Sequence, residues 1–278
     1  MLTNLSRLPE IAKCYRETEQ WQTAFRSYLD MGGRSFPYLL RLRSGTTLTL
    51  REHNDVIIFW LVFVRQHYPV LPSDRVVLDV GANIGIFTIY AAREAPAARI
   101  IAVEPFPATR ERLQVHLEDN RLTSRVTVLN CAVAQEAGRG EMDSVEGIPS
   151  QYRRIRSEKT ESLNIRHRGA AGLQSGPGIS VEQKTLAEIL EVAGEDAIDL
   201  MKMNIHGMEY SVLMNTPAAI LRRIKRITVQ YHTMPSSSGI GKTQLFSHLN
   251  NCGFRLVNDY DTQRGSGLAV LSREAFQA

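Results

Sequence analysis

The segment Val76–Phe87, VVLDVGANIGIF, constrains this chain more than any other stretch. Val76, Val77 and Leu78 form a short uninterrupted apolar run, the pattern of a strand buried on both faces of a parallel sheet. Asp79, Gly81, Asn83 and Gly85 break the run, and Ile86, Ile89, Tyr90, Ala91 and Ala92 then recur at helical spacing. The segment reads strand, tight turn, helix. Glycines at 81 and 85 let backbone amides come close to a ligand, and Asn83 is placed to cap a helix whose N-terminus attracts a carboxylate or phosphate. The turn is expected to cradle a cofactor.

Spacing decides which cofactor. The dinucleotide fingerprint needs three glycines, and the positions that follow Gly81 in that pattern hold Asn83 and Ile86. The pattern D-x-G-x-N-x-G instead resembles motif I of the class I S-adenosylmethionine-dependent methyltransferases. The next apolar run, Arg99–Val103, ends in Glu104, where an acidic side chain can accept both hydroxyls of a ribose. Two signals in register carry more weight than a lone glycine turn.

The 278 residues suffice for one large α/β domain with an additional N-terminal piece. A net charge of +4 is too small an excess to argue for nucleic acid. The three cysteines, Cys14, Cys131 and Cys252, are scattered and lack a C-x-x-C pairing, so neither a disulfide framework nor a zinc site is indicated and a reducing compartment is expected. The start, MLTNLSRLPE, lacks the apolar core of a signal peptide, and Val56–Val64 reaches only about half the length of a membrane span. A cytoplasmic protein with no membrane partner is the expectation.

Residues 5–30 carry helical signals without glycine or proline, with Ile11, Tyr15, Trp21, Phe25 and Leu29 able to line one face. Tyr38–Leu42 and Thr46–Leu50 flank Ser44 and Gly45 like a hairpin, and a helix capped by Asn54 or Asp55 runs to about Gln66. Residues 1–70 are read as a helical lid and hairpin extension, and residues 71–278 as the main domain. In the latter, a helix from Ala108 to Asn120 should bury Leu113 and Leu117, and strands are expected at Arg125–Asn130, Ile198–Met203, Ile224–Tyr231, Phe254–Asn258 and Gly267–Leu271. Gly138–Met142 reads as an added short strand, and residues 144–182 as a long basic loop or lid. The fold class is α/β, a Rossmann-like seven-stranded, mostly parallel sheet with helices on both faces. In such sheets ligands sit beyond the carboxyl ends of the strands, so Asp79–Gly85, Glu104, Asn204–His206 and Tyr231–His232 should converge.

The chain resembles the FkbM family of methyltransferases. HNDVIIFW, LDVGANIGIFT, VEPFPATRERLQVHLEDN, TLAEIL, MKMNIHGMEY and ITVQYH fall in the family's order over about residues 53–257. The resemblance implies S-adenosylmethionine as cofactor and O-methylation of a sugar or other small natural product. It places Asp79, Gly81, Ala82, Asn83 and Gly85 at the methionine end, Glu104 and Pro105 at the ribose, Asn130, Cys131 and Ala132 at the adenine, and Asn204 at either cofactor or acceptor. Family members usually carry aspartate and glutamate where this chain has Asn204 and His206, and glutamate where it has Gln230. Losing carboxylates weakens a hard-metal site, so no metal is expected.

Methyl transfer from a sulfonium asks the protein to align acceptor and methyl, and to strip a proton where the acceptor is a hydroxyl. His206 is the preferred base, His232 the second candidate, and Asn204 an orienting group. Glu209, in the first turn of a helix, reads as structural. In residues 151–169, Arg153 and Arg154 lead a basic segment that reads as a solvated loop or as a lid gripping a carboxylate or phosphate on the acceptor or its carrier, with Tyr231 also facing the substrate. That segment lacks interleaved aromatics, which argues against RNA. SSSGIGKT, Ser236–Thr243, ends like a P-loop but has Ser236 where the first glycine is required. A small-molecule acceptor is the expected partner, with a homodimer open. N-methylation and a cofactor-binding protein that no longer methylates are the alternatives.

Overall fold

The computed structural model describes residues 8–31, 35–143, 155–156, 178–232, 241–262 and 266–275. Its central sheet has seven strands: β3 (Val76–Val80), β4 (Arg99–Val103), β5 (Val126–Leu129), β10 (Ile198–Met203), β11 (Ile224–Tyr231), β12 (Arg255–Asp261) and β13 (Gly267–Ser272). Their spatial order is β12-β13-β11-β10-β3-β4-β5. All neighbours run parallel except β13, which lies antiparallel between β11 and β12. The order reverses between β3 and β10, the switch point at which open α/β sheets bind ligands.

Side chains alternate across the strands, and each face buries its own core. Leu78, Val80, Ile101, Val103, Met201 and Met203 pack with the helices α6 (Leu186–Ala193), α7 (Glu209–Asn215), α8 (Ala218–Leu221) and α9 (Lys242–Asn251). On the opposite face, Val77, Ile100, Ala102 and Leu200 pack with α4 (Ile86–Glu94), α5 (Pro107–Asp119) and the N-terminal extension. The same alternation sends Asp79 and Lys202 to this second face, where they stand opposite each other in the β3–β10 register.

The extension consists of α1 (Leu8–Glu17), α2 (Trp21–Tyr28), the hairpin β1 (Tyr38–Arg41) and β2 (Thr47–Leu50), and α3 (His53–Phe59). The helical stretch expected over residues 5–30 is broken, because Thr18 leaves it to bridge Leu42 of the hairpin. Glu52, not Asn54 or Asp55, is the N-cap of α3; the Asp55 carboxylate instead accepts the Arg51 amide and pairs with Arg112 of α5 at 2.6 Å. The helix widens into a π-turn at Trp60–Val64, where Trp60 stacks on Tyr28 at 4.3 Å. Its indole N–H donates to Glu10 at 2.7 Å. His116 of α5 fastens the hairpin to the glycine turn: Nδ1 lies 2.7 Å from the Ile84 carbonyl, and Nε2 accepts the Thr49 amide at 2.9 Å.

The stretch read as a long loop contributes to a second sheet. β6 (Ala132–Val133), β7 (Gly138–Asp143), β8 (Ile155–Arg156) and β9 (Gly178–Lys184) form it in the order β6-β9-β7-β8. Among the described residues no helix is long and apolar enough to cross a membrane.

Candidate active site

The glycine turn is shaped by packing. Gly81 has φ +76°, and a β-carbon there would lie 2.1 Å from the Asn204 carbonyl oxygen, so β10 closes on β3 only over a glycine. Gly85, at φ +86°, would meet Leu113 Cδ1 at 2.4 Å. The amides of Gly81 and Ala82 both donate to the Val103 carbonyl, and that of Asn83 donates to Glu104 Oε2 at 2.9 Å. These amides therefore bind the ends of β3 and β4 together, a different use from the ligand contacts expected of them. Asn83 sits at φ +52° and does not cap α4, whose N-cap is Gly85.

Asp79 was expected at the methionine end but lies behind the turn. It is 0% exposed; Oδ1 pairs with Lys202 at 2.8 Å and Oδ2 accepts the Thr88 hydroxyl at 2.6 Å. Lys202 also donates to the Gly81 carbonyl at 2.6 Å, bracing the turn from below. The lysine falls inside MKMNIHGMEY, but nothing local to that run announces its pairing with Asp79 on the neighbouring strand.

Glu104 stands at the mouth beside the turn. Its oxygens accept the Asn83 and Phe106 amides, at 2.9 and 3.0 Å, and each keeps a second lone pair for a ribose hydroxyl. Burial raises its carboxyl above the ordinary glutamate value, against the lowering effect of those two amides and of Lys202. Next to Pro105, Arg110 donates to the Pro105 carbonyl at 3.4 Å and to Asn130 Oδ1, bridging the residues expected to meet ribose and adenine. Cys131 and Ala132 turn their side chains into separate cores, and burial pushes the Cys131 thiol up to about 11. Only their backbone is available to an adenine.

At the ends of β10 and β11, Asn204 Nδ2 donates to Gln230 Oε1 at 2.9 Å, and the Tyr68 hydroxyl donates to the same oxygen at 3.2 Å. Tyr68 belongs to the extension and has no distinguishing motif, so sequence reasoning missed it. Asn204 Oδ1 is buried with no partner among the described residues. The His206 and His232 rings lie 5.4 Å apart, edge to face. Glu209, fully buried, accepts the Ile205 and Gly207 amides at 2.8 and 2.7 Å and meets His232 Nδ1 at 3.2 Å. Burial would raise the Glu209 carboxyl, but the neighbouring His232, with a smaller contribution from His206, brings it below the ordinary value.

Tyr231 does not join this group. Strand alternation sends it to the opposite face, where its hydroxyl donates to Asp259 at 2.6 Å and its ring packs edge-on against Phe246. Lys242, the lysine of the P-loop-like segment, is held by Asp259 at 3.2 Å and by Asp261, leaving its ammonium neutralised. Arg153 and Arg154 lie outside the described residues.

The switch-point mouth, the glycine turn braced by Lys202 and the acidic end of β4 define a class I S-adenosylmethionine-dependent methyltransferase. Glu104 suits a ribose, and the orphaned Asn204 oxygen suits a donor on the bound ligand. The chain belongs to the FkbM methyltransferase family: the family model, described as "Methyltransferase FkbM domain", matches residues 79–256. Methyltransferase sdnD of Sordaria araneosa is 28% identical over 214 residues, which span 71% of this chain and 81% of that protein. The 31-O-demethyl-FK506 methyltransferase FkbM of Streptomyces tacrolimicus is 28% identical over 213 residues, 72% of this chain and 79% of that one. A solved structure, M. jannaschii TYW2 in complex with AdoMet, gives a TM-score of 0.44 at 14% identity, covering 86% of each chain.

Proposed function

We propose that the protein methylates a hydroxyl of a small molecule, a sugar or natural-product intermediate, without a metal and with a histidine as base. The observation that carries this reading is the pairing of His206 and His232, 5.4 Å apart, at the ends of the two strands beside the cofactor turn. S-adenosylmethionine supplies a sulfonium-bound methyl group. The protein's share of the work is alignment and proton removal. Gly81 and the Lys202–Asp79 brace hold the turn, Glu104 takes the ribose, and the Asn204–Gln230–Tyr68 chain orients the acceptor side. A histidine would take the hydroxyl proton as the acceptor oxygen receives the methyl group, the leaving thioether keeping the electron pair of the carbon–sulfur bond.

The names of the relatives support the substrate class, since one is called an O-demethyl-FK506 methyltransferase. Metal-free chemistry is supported by the residues at the strand ends: Asn204 and Gln230 are neutral amides bonded to each other, poor ligands for a hard cation. The test is a panel of hydroxylated small molecules incubated with methyl-labelled S-adenosylmethionine, with and without chelator. Label on oxygen that survives chelation is expected. Label on nitrogen alone, or chelator-sensitive transfer, would overturn the reading.

A further inference from the structure

Among the described residues, β2 of the N-terminal hairpin has no strand partner besides β1, and side chains of α5 occupy its other edge. His116 Nε2 accepts the Thr49 amide at 2.9 Å. One turn further on, Asn120 accepts the Thr47 amide at 2.8 Å and donates to the Thr47 carbonyl at 2.9 Å. Four residues of helix rise about 6 Å and two residues of strand about 6.8 Å, so an i, i+4 pair on α5 matches alternate residues of β2. His116 also reaches the other way, where Nδ1 lies 2.7 Å from the Ile84 carbonyl inside the glycine turn. Ile84 stands between Asn83 at φ +52° and Gly85 at φ +86°, so the chain is left-handed on either side of the carbonyl that the imidazole holds. Because the Thr49 N–H can only donate, Nε2 is the bare nitrogen and Nδ1 carries the proton that this carbonyl accepts.

We infer that His116 is a positioning residue for the cofactor: as a neutral imidazole protonated on Nδ1 alone, it fixes the Ile84 carbonyl and with it the turn that receives S-adenosylmethionine, and it ties that turn to the N-terminal extension. A second proton has to sit on Nε2, facing the Thr49 N–H, so protonation parts the hairpin from the turn. Burial lowers the ring's proton affinity below the ordinary histidine value of 6.5, against the bond to Ile84, with Arg112 assisting and the carboxylates of Asp55 and Asp119 opposing. Arg112 and Asp119 belong to α5 and Asp55 to α3, while β2 and the glycine turn meet the ring with backbone groups. The tie therefore holds above pH 6.5 and is lost as pH falls through the lower folded value.

Two substitutions divide the ring's two bonds. Asparagine brings an amide nitrogen near the place of Nδ1 and can still donate to Ile84; glutamine reaches the place of Nε2 and can still accept from Thr49. By calorimetry, His116→Asn is expected to keep affinity for S-adenosylhomocysteine within about twofold, and His116→Gln to lose about three- to twelvefold, the range of a neutral hydrogen bond. Urea unfolding reads stability separately. Equal losses of affinity in the two variants, in step with their stability, would leave the ring a structural strut and overturn the inference. The unaltered chain gives a second reading: nitrogen–proton spectra of the His116 ring, assigned through the backbone, should show a proton on Nδ1 and a bare Nε2 at neutral pH. Saturating S-adenosylhomocysteine should shift the Nδ1 signal. A proton on Nε2, or a signal that the bound compound leaves unmoved, would overturn the inference even where neither variant folds.

Discussion

The Lys202 ammonium lies 2.8 Å from Asp79 Oδ1, and both side chains are almost wholly withdrawn from water, at 7% and 0% exposure. The pair sits where two parallel strands carry these residues directly opposite each other, one layer beneath the glycine turn. Lys202 also reaches the carbonyls of Val80 and Gly81, so the ion pair and the turn's backbone are one bonded unit. Lys202→Met leaves the Asp79 carboxylate buried without its partner, which costs about 3–5 kcal/mol in stability. Urea unfolding measures this loss. Because a matched apolar or neutral pair avoids the stranded charge, Lys202→Met combined with Asp79→Asn is expected to recover part of the stability, but not affinity for S-adenosylhomocysteine. Recovery of both would mean that the lysine does not brace the turn.

The two glycines of the turn should respond differently to alanine. At Gly81 the obstacle is backbone, the Asn204 carbonyl at 2.1 Å, added to a left-handed φ whose strain is about 1–3 kcal/mol. At Gly85 the obstacle is the tip of Leu113, which can rotate away. Gly81→Ala is therefore expected to lose stability and measurable S-adenosylhomocysteine binding by calorimetry, and Gly85→Ala to retain weakened binding. Equal losses would show that the Asn204 approach is not what demands a glycine.

Tyr68 connects the N-terminal extension to Gln230 at the end of β11. Burial, with the nearby Asp79 charge, keeps its phenol far above the ordinary value, so it remains a neutral donor to Gln230 throughout the working pH range. Tyr68→Phe keeps the ring that packs on Phe87 and removes only the hydroxyl. A lost neutral hydrogen bond is worth about 0.5–1.5 kcal/mol, roughly a two- to twelvefold fall in kcat/KM for the acceptor. Cofactor affinity should not move. If it falls in step with kcat/KM, Tyr68 serves the cofactor turn instead.

The central sheet was legible because its strands are apolar runs closed by chemistry-bearing residues: Val76–Val80 before Gly81, Arg99–Val103 before Glu104, Ile198–Met203 before Asn204. Alternation inside those runs was harder to see, since both faces are buried and no polar face marks the register. Hence Asp79 and Tyr231 were expected at the mouth, whereas the pleat turns one beneath it and the other to the far face. The break at Thr18 and the His116 strut depend on pairing with Leu42 and Ile84, contacts that no local pattern announces. Glu209 was visible as a helix-dipole residue, but its 3.2 Å approach to His232 emerges only when β10 and β11 lie side by side.

Glu104 gives opposite signs for stability and for binding. Burial raises its carboxyl above the ordinary glutamate value of 4.5, outweighing the two amides it accepts. A folded value above the unfolded one means that the charged group opposes folding at neutral pH, and that its contribution becomes favourable as pH falls through the folded value toward 4.5. The ribose contact needs the charged form, so affinity for S-adenosylhomocysteine should fall over that same window, starting above pH 4.5. Glu104→Gln removes the titration: its affinity is expected to be flat with pH there and, at neutral pH, about tenfold or more below that of the unaltered protein, the size of a hydrogen bond to a charged group. Calorimetric titration of both proteins across the window decides the matter. Affinity of the unaltered protein that holds steady down to pH 4.5 would place the ribose away from this carboxylate.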